Sequence, residues 1–336
     1  MKISEIERLG RFDGKALILM YHRVAEACTD PWSLCVTPKH FAEHLEVLVK
    51  HGHSMRLQGL TQALLLENLP HRSLVVTFDD GYADNVHNAK PLLERYDIPA
   101  TVFLTTGYIG HEREFWWDEL ARLLLQPGTL PETLRLSVNE STYQWELGEA
   151  AHYSEDAYQR HRYWRVWEHA PNSRHVLYFS LWKLLKSLIE GDRRHVLDEL
   201  LAWAGAKPAS RPTHRTLSLQ EVCSLGQGGL VEVGSHTVTH PALSTLPVSL
   251  QQDEIRWSKD LLEEILGRPV MTFAYPHGDY TAETLTVVRE AEFACACSTA
   301  ANLVCRETDR FQLPRVQVHD WDGDEFARRL SVWFDR

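Results

Sequence analysis

Two short segments of the chain carry side chains that could bind and use a metal ion. Asp79 and Asp80 follow the apolar run 73–78, which is typical of a buried strand. His236 and His240 follow a second apolar run, and a helical turn between them would bring both imidazoles to one ion. One carboxylate and two imidazoles form a three-ligand set with room for water.

The two aspartates are expected to have different roles. Successive side chains of a strand point to opposite faces, so Asp79 and Asp80 reach one point only if the chain turns sharply at Gly81. One carboxylate would then ligate the metal while its neighbour accepts a proton from water, as hydrolytic metal sites require. Taken alone, Asp-Asp-Gly could be a surface turn, and His-x3-His could be two solvent-facing histidines.

A third segment, 272–278, predicts a short strand that ends in a Pro-x-Gly turn, where backbone N–H groups could face a developing oxyanion. The order TFDDGY, SHTVTH and FAYPHG resembles the polysaccharide deacetylase family with its NodB-type homology domain, over roughly 15–110 and 215–320. A late Leu-Pro-Arg segment is similar to a further strand of that family.

The resemblance implies an α/β fold, a distorted (β/α) barrel of about seven strands, as a single domain over 1–336. The chain favours the same class independently, because short apolar strands alternate with amphipathic stretches such as 38–51 and 250–267. Active sites of such barrels lie at the carboxyl ends of the strands, where all three motifs fall.

Residues 111–214 exceed what the barrel requires, and we expect them to form an inserted, mainly helical cap. Gly, Pro and Ser concentrate at its expected hinges, 107–110 and 207–213. Its tryptophans could line a sugar-binding cleft, although aromatic residues at helical spacing more often pack in a core. These tryptophans are Trp116, Trp117, Trp145, Trp164, Trp167 and Trp182.

The resemblance implies a role for each matching residue. Asp79 takes the position of the general base. The metal-ligand positions fall on Asp80, His236 and His240. The implied reaction is attack of a metal-activated water on an acetamide carbonyl, with the backbone N–H of His277 helping to stabilise the oxyanion. The ligand set suits Zn²⁺ best, and Co²⁺, Fe²⁺, Mn²⁺ and Ni²⁺ stay open.

The residue that would place a cation beside the base differs from the one in better-known members of the family. Their third motif carries an Arg that orients the base, but Ala274 stands at that position. The Asp that steadies this Arg has no clear match near Ser298 and Thr299. Arg315 of the Leu-Pro-Arg segment is a candidate replacement, the alternative being an ordinary surface Arg.

The general acid is also open. His319 is the nearest candidate for the histidine of the family's last motif, and it could equally be a solvent-facing loop residue. His22, at the end of the first predicted strand, is a second candidate, or else a structural histidine.

Composition limits the class of protein. The chain has 336 residues, of which 44% are hydrophobic and 24% charged, as in ordinary soluble globular proteins. Its formal net charge of −11 argues against a nucleic-acid partner. The apolar run 16–21 is too short for a secretory segment or a membrane span, so we expect no transmembrane segment and a cytoplasmic protein. The oligomeric state is not predicted.

The six cysteines are too few for a disulfide scaffold in a chain of this length. Cys295 and Cys297 lie two residues apart in an apolar, strand-like run, which places both on one face. They are predicted to be buried thiols rather than metal ligands.

Three functions are consistent with these residues. The favoured one is a metal-dependent hydrolase that removes N-acetyl groups from an N-acetylated sugar or polysaccharide precursor, because the base and all three ligands are present. A deformylase or other amide or imide hydrolase of the same fold is the first alternative. The second is a catalytically inactive carbohydrate-binding or scaffold protein, which the absent Arg–Asp pair makes conceivable.

Overall fold

The structure is a computed structural model that describes residues 14–26 and 29–335. Most of the charged amino terminus and one cysteine, Cys28, lie outside these residues. The strands are β1 Ala16–Tyr21, β2 Arg23–Val24, β3 Cys35–Val36, β4 His53–Ser54, β5 Ser73–Phe78, β6 Ala100–Leu104, β7 Gly128–Thr129, β8 Thr133–Val138, β9 Ser141–Glu146, β10 His152–Tyr153, β11 Val231–Ser235, β12 Thr272–Ala274, β13 Cys295–Cys297 and β14 Val316–Gln317. The helices are α1 Pro38–His51, α2 Leu57–Leu65, α3 Lys90–Tyr96, α4 Trp116–Leu124, α5 Glu155–His161, α6 Ser173–Lys186, α7 Glu190–Trp203, α8 Leu219–Leu225, α9 Val248–Leu266, α10 Ala282–Glu290 and α11 Gly323–Phe334.

Seven parallel strands form the main sheet, in the order β13-β12-β11-β6-β5-β1-β14, and β4 adds to the start of β5. The sheet curls into a half-barrel surrounded by helices. Its two edges approach each other, because Leu313 pairs with Cys297 of β13 just before the chain enters β14. The predicted α/β barrel of about seven strands is confirmed.

The alternation of side chains along the strands separates two cores. Leu17 and Leu19 of β1 belong to the outer core, between sheet and helices, whereas Ile18 belongs to the inner core inside the barrel. Val75 of β5 lies in the same inner core. The two-residue period of a strand then directs Asp79, four residues on, towards the barrel interior.

Local signals explain the helices that were expected on the outside. Thr37 caps α1, because its Oγ1 accepts a hydrogen bond from the N–H of His40, and a proline opens the helix. α1 buries Phe41, Leu45 and Leu48. α9 ends at Gly267, whose φ of 64° is the left-handed conformation that favours glycine.

The chain between β6 and β11 builds a second core of its own. This second core contains residues of α4, α6 and α7 and of the β8–β9 hairpin, and it reaches the barrel through Tyr82 and Tyr108. The ends of the segment are joined by the buried carboxylate of Glu114, which accepts hydrogen bonds from the backbone N–H of Arg211 at 2.6 Å and from its Nε at 2.8 Å. Segment 111–214 therefore begins and ends close together in space.

Cys295 and Cys297 are free and fully buried in β13, as predicted. Within the described part of the chain, no helix combines the length and the apolar character needed to cross a membrane.

Candidate active site

A sharp turn at the end of β5 brings two carboxylates to the same cavity. The backbone N–H of Asp79 still pairs with the carbonyl of Tyr21 at 3.0 Å, and the chain then reverses through Asp80, with φ of 75°, and Gly81, with φ of 92°. A Cβ on Gly81 would lie 2.8 Å from a methyl of Leu104, so this position requires glycine. Both carboxylates line the cavity.

The two histidines of the second motif follow β11 in an irregular loop, not in the helical turn that their spacing suggested. Thr237 and His240 both have positive φ, at 67° and 57°, and the imidazole centroids of His236 and His240 lie 4.9 Å apart. Glu254 of α9 ties the loop down, because its carboxylate accepts hydrogen bonds from the N–H and hydroxyl of Thr239 at 2.8 and 2.6 Å.

Asp80, His236 and His240 converge on one point, with their candidate ligand atoms all within 4.8 Å of one another. Oδ1 of Asp80 lies 3.3 Å from Nε2 of His240 and 3.7 Å from Nε2 of His236. The Nδ1 of His236 lies 2.7 Å from the carbonyl oxygen of Ala274, which leaves Nε2 as the unprotonated nitrogen that faces Asp80. A carboxylate with two such imidazoles fits a divalent cation such as zinc.

The pKa values of these three side chains also favour binding of a divalent cation. Burial lowers the pKa of His236 to about 4 and that of His240 to about 3, so both imidazoles are neutral at pH 7 and free to donate a lone pair. Burial also raises the pKa of Asp80. A buried carboxylate of this kind gains most from a positive partner.

Arg315 lies beside Asp79 and is fully buried, which rules out the alternative of a surface Arg. Its Nη1 and Nη2 donate to the two carboxylate oxygens at 2.6 and 2.7 Å, and its Nε donates to the carbonyl of Ser298 at 2.9 Å. Burial alone would raise the pKa of Asp79, but the Arg315 guanidinium outweighs it and holds that pKa well below the usual range. Asp79 is thus an oriented, ionised carboxylate.

His277 lies in the turn after β12, with φ of 59°, and its ring centroid is 4.5 Å from that of His240. Its Nε2 is buried without a hydrogen-bond partner among the described residues. The following Gly278 is required by close packing, because a Cβ there would lie 2.0 Å from Oγ1 of Thr299. The turn therefore holds His277 against the candidate ligands.

The two candidates for the general acid lie in different surroundings. His22 lines the cavity, and burial lowers its pKa. His319 is not among the lining residues. Its Nδ1 lies 3.0 Å from the hydroxyl of Ser33, and its ring packs between Trp167 and Trp321. The structure brings His22 to the site and leaves His319 outside it.

The cavity itself has a volume of about 500 Å³. The barrel forms one wall, and segment 111–214 contributes Trp117, Trp182 and Lys186 to the other. Trp116 and Trp164 are buried in packing instead.

Trp117 packs directly on a candidate ligand, with its ring centroid 4.8 Å from that of His240. Its Nε1 donates to the hydroxyl of Tyr82 at 2.8 Å, and that hydroxyl donates to Asp118 at 2.6 Å. Trp32 and Lys186 complete the wall and were not singled out from the sequence, because neither belongs to a motif. Trp32 and Trp182 have ring centroids only 4.0 Å apart.

Comparison with protein families and known proteins gives a consistent result. The family model described as polysaccharide deacetylase matches residues 67–132 and 209–296. The putative polysaccharide deacetylase YxkH of Bacillus subtilis is 30% identical over 306 residues, which cover 90% of this chain and 71% of that protein. The poly-β-1,6-N-acetyl-D-glucosamine N-deacetylase of Staphylococcus aureus is 30% identical over 115 residues, 30% of this chain and 39% of that protein.

Solved structures show the same fold at lower identity. The Streptococcus pyogenes deacetylase PplD, in complex with acetate, superposes with a TM-score of 0.59 and 19% identity, covering 95% of this chain and 99% of that one. IcaB from Ammonifex degensii superposes with a TM-score of 0.58 and 18% identity, covering 96% and 98% of the two chains.

Proposed function

This chain belongs to the polysaccharide deacetylase family, and on that premise we propose that it is a metal-dependent enzyme that removes N-acetyl groups from an N-acetylated saccharide. The best support is that a candidate three-ligand metal site and an ionised carboxylate lie side by side in one cavity. Asp80 faces the two imidazoles, while its neighbour Asp79 is held ionised by Arg315. A relative of known substrate acts on poly-β-1,6-N-acetyl-D-glucosamine, which is a saccharide of this class.

Asp80, His236 and His240 would hold the ion, for which zinc is the best match of ligand type. When bound, such an ion supplies Lewis-acid activation of water and of the acetamide carbonyl. The neutral state of both imidazoles at pH 7 means that no proton has to leave them first.

The protein's own groups would handle the protons and the oxyanion. We assign the general base to Asp79, whose carboxylate would accept the proton of the attacking water while Arg315 keeps it ionised and oriented. The backbone N–H of His277 is the proposed donor to the oxyanion. His22 is the proposed acid for the departing amine, since it lines the cavity and His319 does not. It would donate from its imidazolium form, whose charge burial opposes and the Asp80 and Asp79 carboxylates favour.

Segment 111–214 is proposed to act as a cap over this site. Trp117 and Trp182 form part of the cavity wall, and Trp117 is fixed by the chain of hydrogen bonds to Tyr82 and Asp118. Aromatic rings are well suited to pack on the apolar faces of sugar rings and to exclude water from the reacting group.

The test combines metal analysis with product detection. Purified protein should contain about one divalent ion per chain. The zinc-loaded form should release acetate from N-acetylglucosamine oligosaccharides with β-1,6 or β-1,4 linkages, and chelation should stop it. Release of formate from N-formyl analogues, with no acetate from any saccharide, would support the deformylase alternative instead. Metal binding without any release would indicate a binding or scaffold protein.

A further inference from the structure

Lys186 brings a positive charge to the cavity wall. It is the last residue of α6 and lines the cavity together with Trp182, one turn earlier, whose ring centroid lies 5.4 Å from the Lys186 ammonium. Among the described residues, no carboxylate oxygen forms an ion pair with this ammonium within 4.0 Å. The nearest acid along the chain, Glu190, is paired with Arg193 and Arg194.

The other charges of the cavity do not compensate Lys186 when the site holds its ion. Asp79 is neutralised by Arg315 at 2.6 Å, and Asp80 adds one negative charge beside the two imidazoles. A divalent ion between those three ligands would exceed the single charge of Asp80 and leave the cavity positive.

This local charge is opposite in sign to the protein as a whole, which carries a formal net charge of −11. Surface charges are screened over about 8 Å at physiological ionic strength, so inside the cavity the nearby lysine outweighs distant acids. A partly desolvated ammonium beside aromatic rings also binds an anion more strongly than a fully exposed one. The cavity therefore has a cationic wall that catalysis of a neutral substrate does not require.

We propose that Lys186 binds an anionic substituent, a carboxylate or a phosphate, on the N-acetylated saccharide, so that the enzyme prefers acidic over neutral acetamido sugars. The inference rests on the deacetylase function proposed above and narrows its substrate class. Trp182 and Trp32, whose rings pack together, would form the aromatic surface for the sugar next to this charge.

The experiment compares three probes: a neutral N-acetylglucosamine glycoside, the same glycoside oxidised to the 6-carboxylate, and its 6-phosphate. Values of kcat/KM are measured for the zinc-loaded wild type at low and at high salt. The variants are Lys186→Met, Lys186→Arg and, as a matched control, Lys183→Met. Lys183 lies on the same helix, stacks on Phe179 at 4.7 Å, and does not line the cavity.

We expect at least about a tenfold preference for one of the anionic probes, and the carboxylate and phosphate arms decide which anion is used. Lys186→Met should remove that preference, mainly through KM, Lys186→Arg should retain part of it, and Lys183→Met should leave it intact. Added salt should weaken the preference in the wild type. Equal turnover of neutral and anionic probes by the wild type, or an equal loss on both with Lys186→Met, would overturn the proposal.

Calorimetry of probe binding to the metal-free protein tests the anion site at Lys186 separately from the proposed deacetylase function. If no probe is deacetylated, the function proposed above fails, and the binding data still test Lys186. A preference for the anionic probes that disappears in Lys186→Met but not in Lys183→Met supports the anion site. Equal affinity for all three probes rejects it.

Discussion

The guanidinium of Arg315 bonds both carboxylate oxygens of Asp79, at 2.6 and 2.7 Å, across 236 residues of sequence. Asp79 ends β5, and Arg315 stands just before β14 at the edge of the sheet. The pair therefore forms only when the first and last parts of the barrel come together. A replacement for the Arg of the third motif was expected, because Ala274 stands at that position, and Arg315 was the candidate.

The first prediction concerns this pair. Arg315→Met should leave the Asp79 carboxylate buried without its partner, which costs about 3–5 kcal/mol of stability. It should also raise the pKa of Asp79, so the acidic limb of the kcat/KM profile should move to higher pH. Arg315→Lys keeps the charge and should show a smaller shift. A pH profile that is unchanged in Arg315→Met would show that Asp79 is not the base.

The second prediction tests the base itself. Asp79→Asn keeps the shape of the side chain and removes the proton acceptor, so zinc content should persist while kcat/KM falls by about 10²–10⁴-fold. Activity is measured at matched zinc occupancy over a pH series. A loss below about tenfold would assign the proton to another group, with His22 the next residue to replace.

The third prediction concerns the metal ligands. His236→Ala should lose the bound ion and the increase in melting temperature that added zinc produces. At zinc concentrations about a thousand times Kd, that stabilisation should reach about 4 kcal/mol in the wild type. His195→Ala is the control, because His195 is exposed and forms an ion pair with Glu199, four residues on along the same helix. Full zinc content in His236→Ala would remove this residue from the ligand set.

The fourth prediction tests the cap. Trp182→Ala should raise KM for oligosaccharides by about tenfold or more and change kcat less, because it removes a binding surface and leaves the reacting groups in place. Trp145→Ala is the matched control, since Trp145 lies on the β8–β9 hairpin, stacks on Tyr143 and does not line the cavity. Equal effects of the two substitutions would contradict a cap that binds the saccharide.

The fifth prediction concerns stability against acid. Burial lowers the pKa of His44 to about 4, and its neutral ring bonds Tyr21 and the carbonyl of Trp321. The unfolded chain takes up a proton on this residue below about pH 6.5, whereas the folded protein does not until about pH 4. Stability of the metal-free protein should therefore fall as the pH drops through this window, by about 1.4 kcal/mol per pH unit for this residue.

A variant of His44 checks the assignment. His44→Gln should reduce the slope of the unfolding free energy against pH by about one proton. An unchanged slope in His44→Gln would show that His44 is protonated in the folded protein. Denaturant unfolding at a series of pH values gives the slopes directly.

The groups that lie close together in the sequence were predictable from it. Asp79 and Asp80 are neighbours, and the glycine after them marks the turn that lets both face the cavity. His236 and His240 were recognisable by their spacing, but the helical turn expected between them is absent, because Thr237 and His240 take left-handed conformations. The spacing therefore predicted which side chains converge, but it did not predict the backbone conformation that brings them together.

The groups that depend on long-range packing were harder to predict. Arg315 could be proposed only as one candidate cation, since nothing near it in the sequence shows that it reaches Asp79. The sequence favoured His319 over His22 as the general acid, and only the folded barrel brings His22 into the cavity. Trp32 and Lys186 carry no local signal at all. Their position depends on how α6 and the loop before β3 pack over the barrel.

The pairing of β6 with β11 has a consequence for the order of folding. These neighbouring strands are separated in sequence by the whole of segment 111–214, and the entropy lost in joining them grows with the length of chain between them. Once the second core has formed and Glu114 has bonded Arg211, far fewer flexible residues separate β6 from β11. We therefore expect the segment to fold before the barrel closes, so that substitutions which slow its collapse delay assembly of the metal site even where the final stability hardly changes.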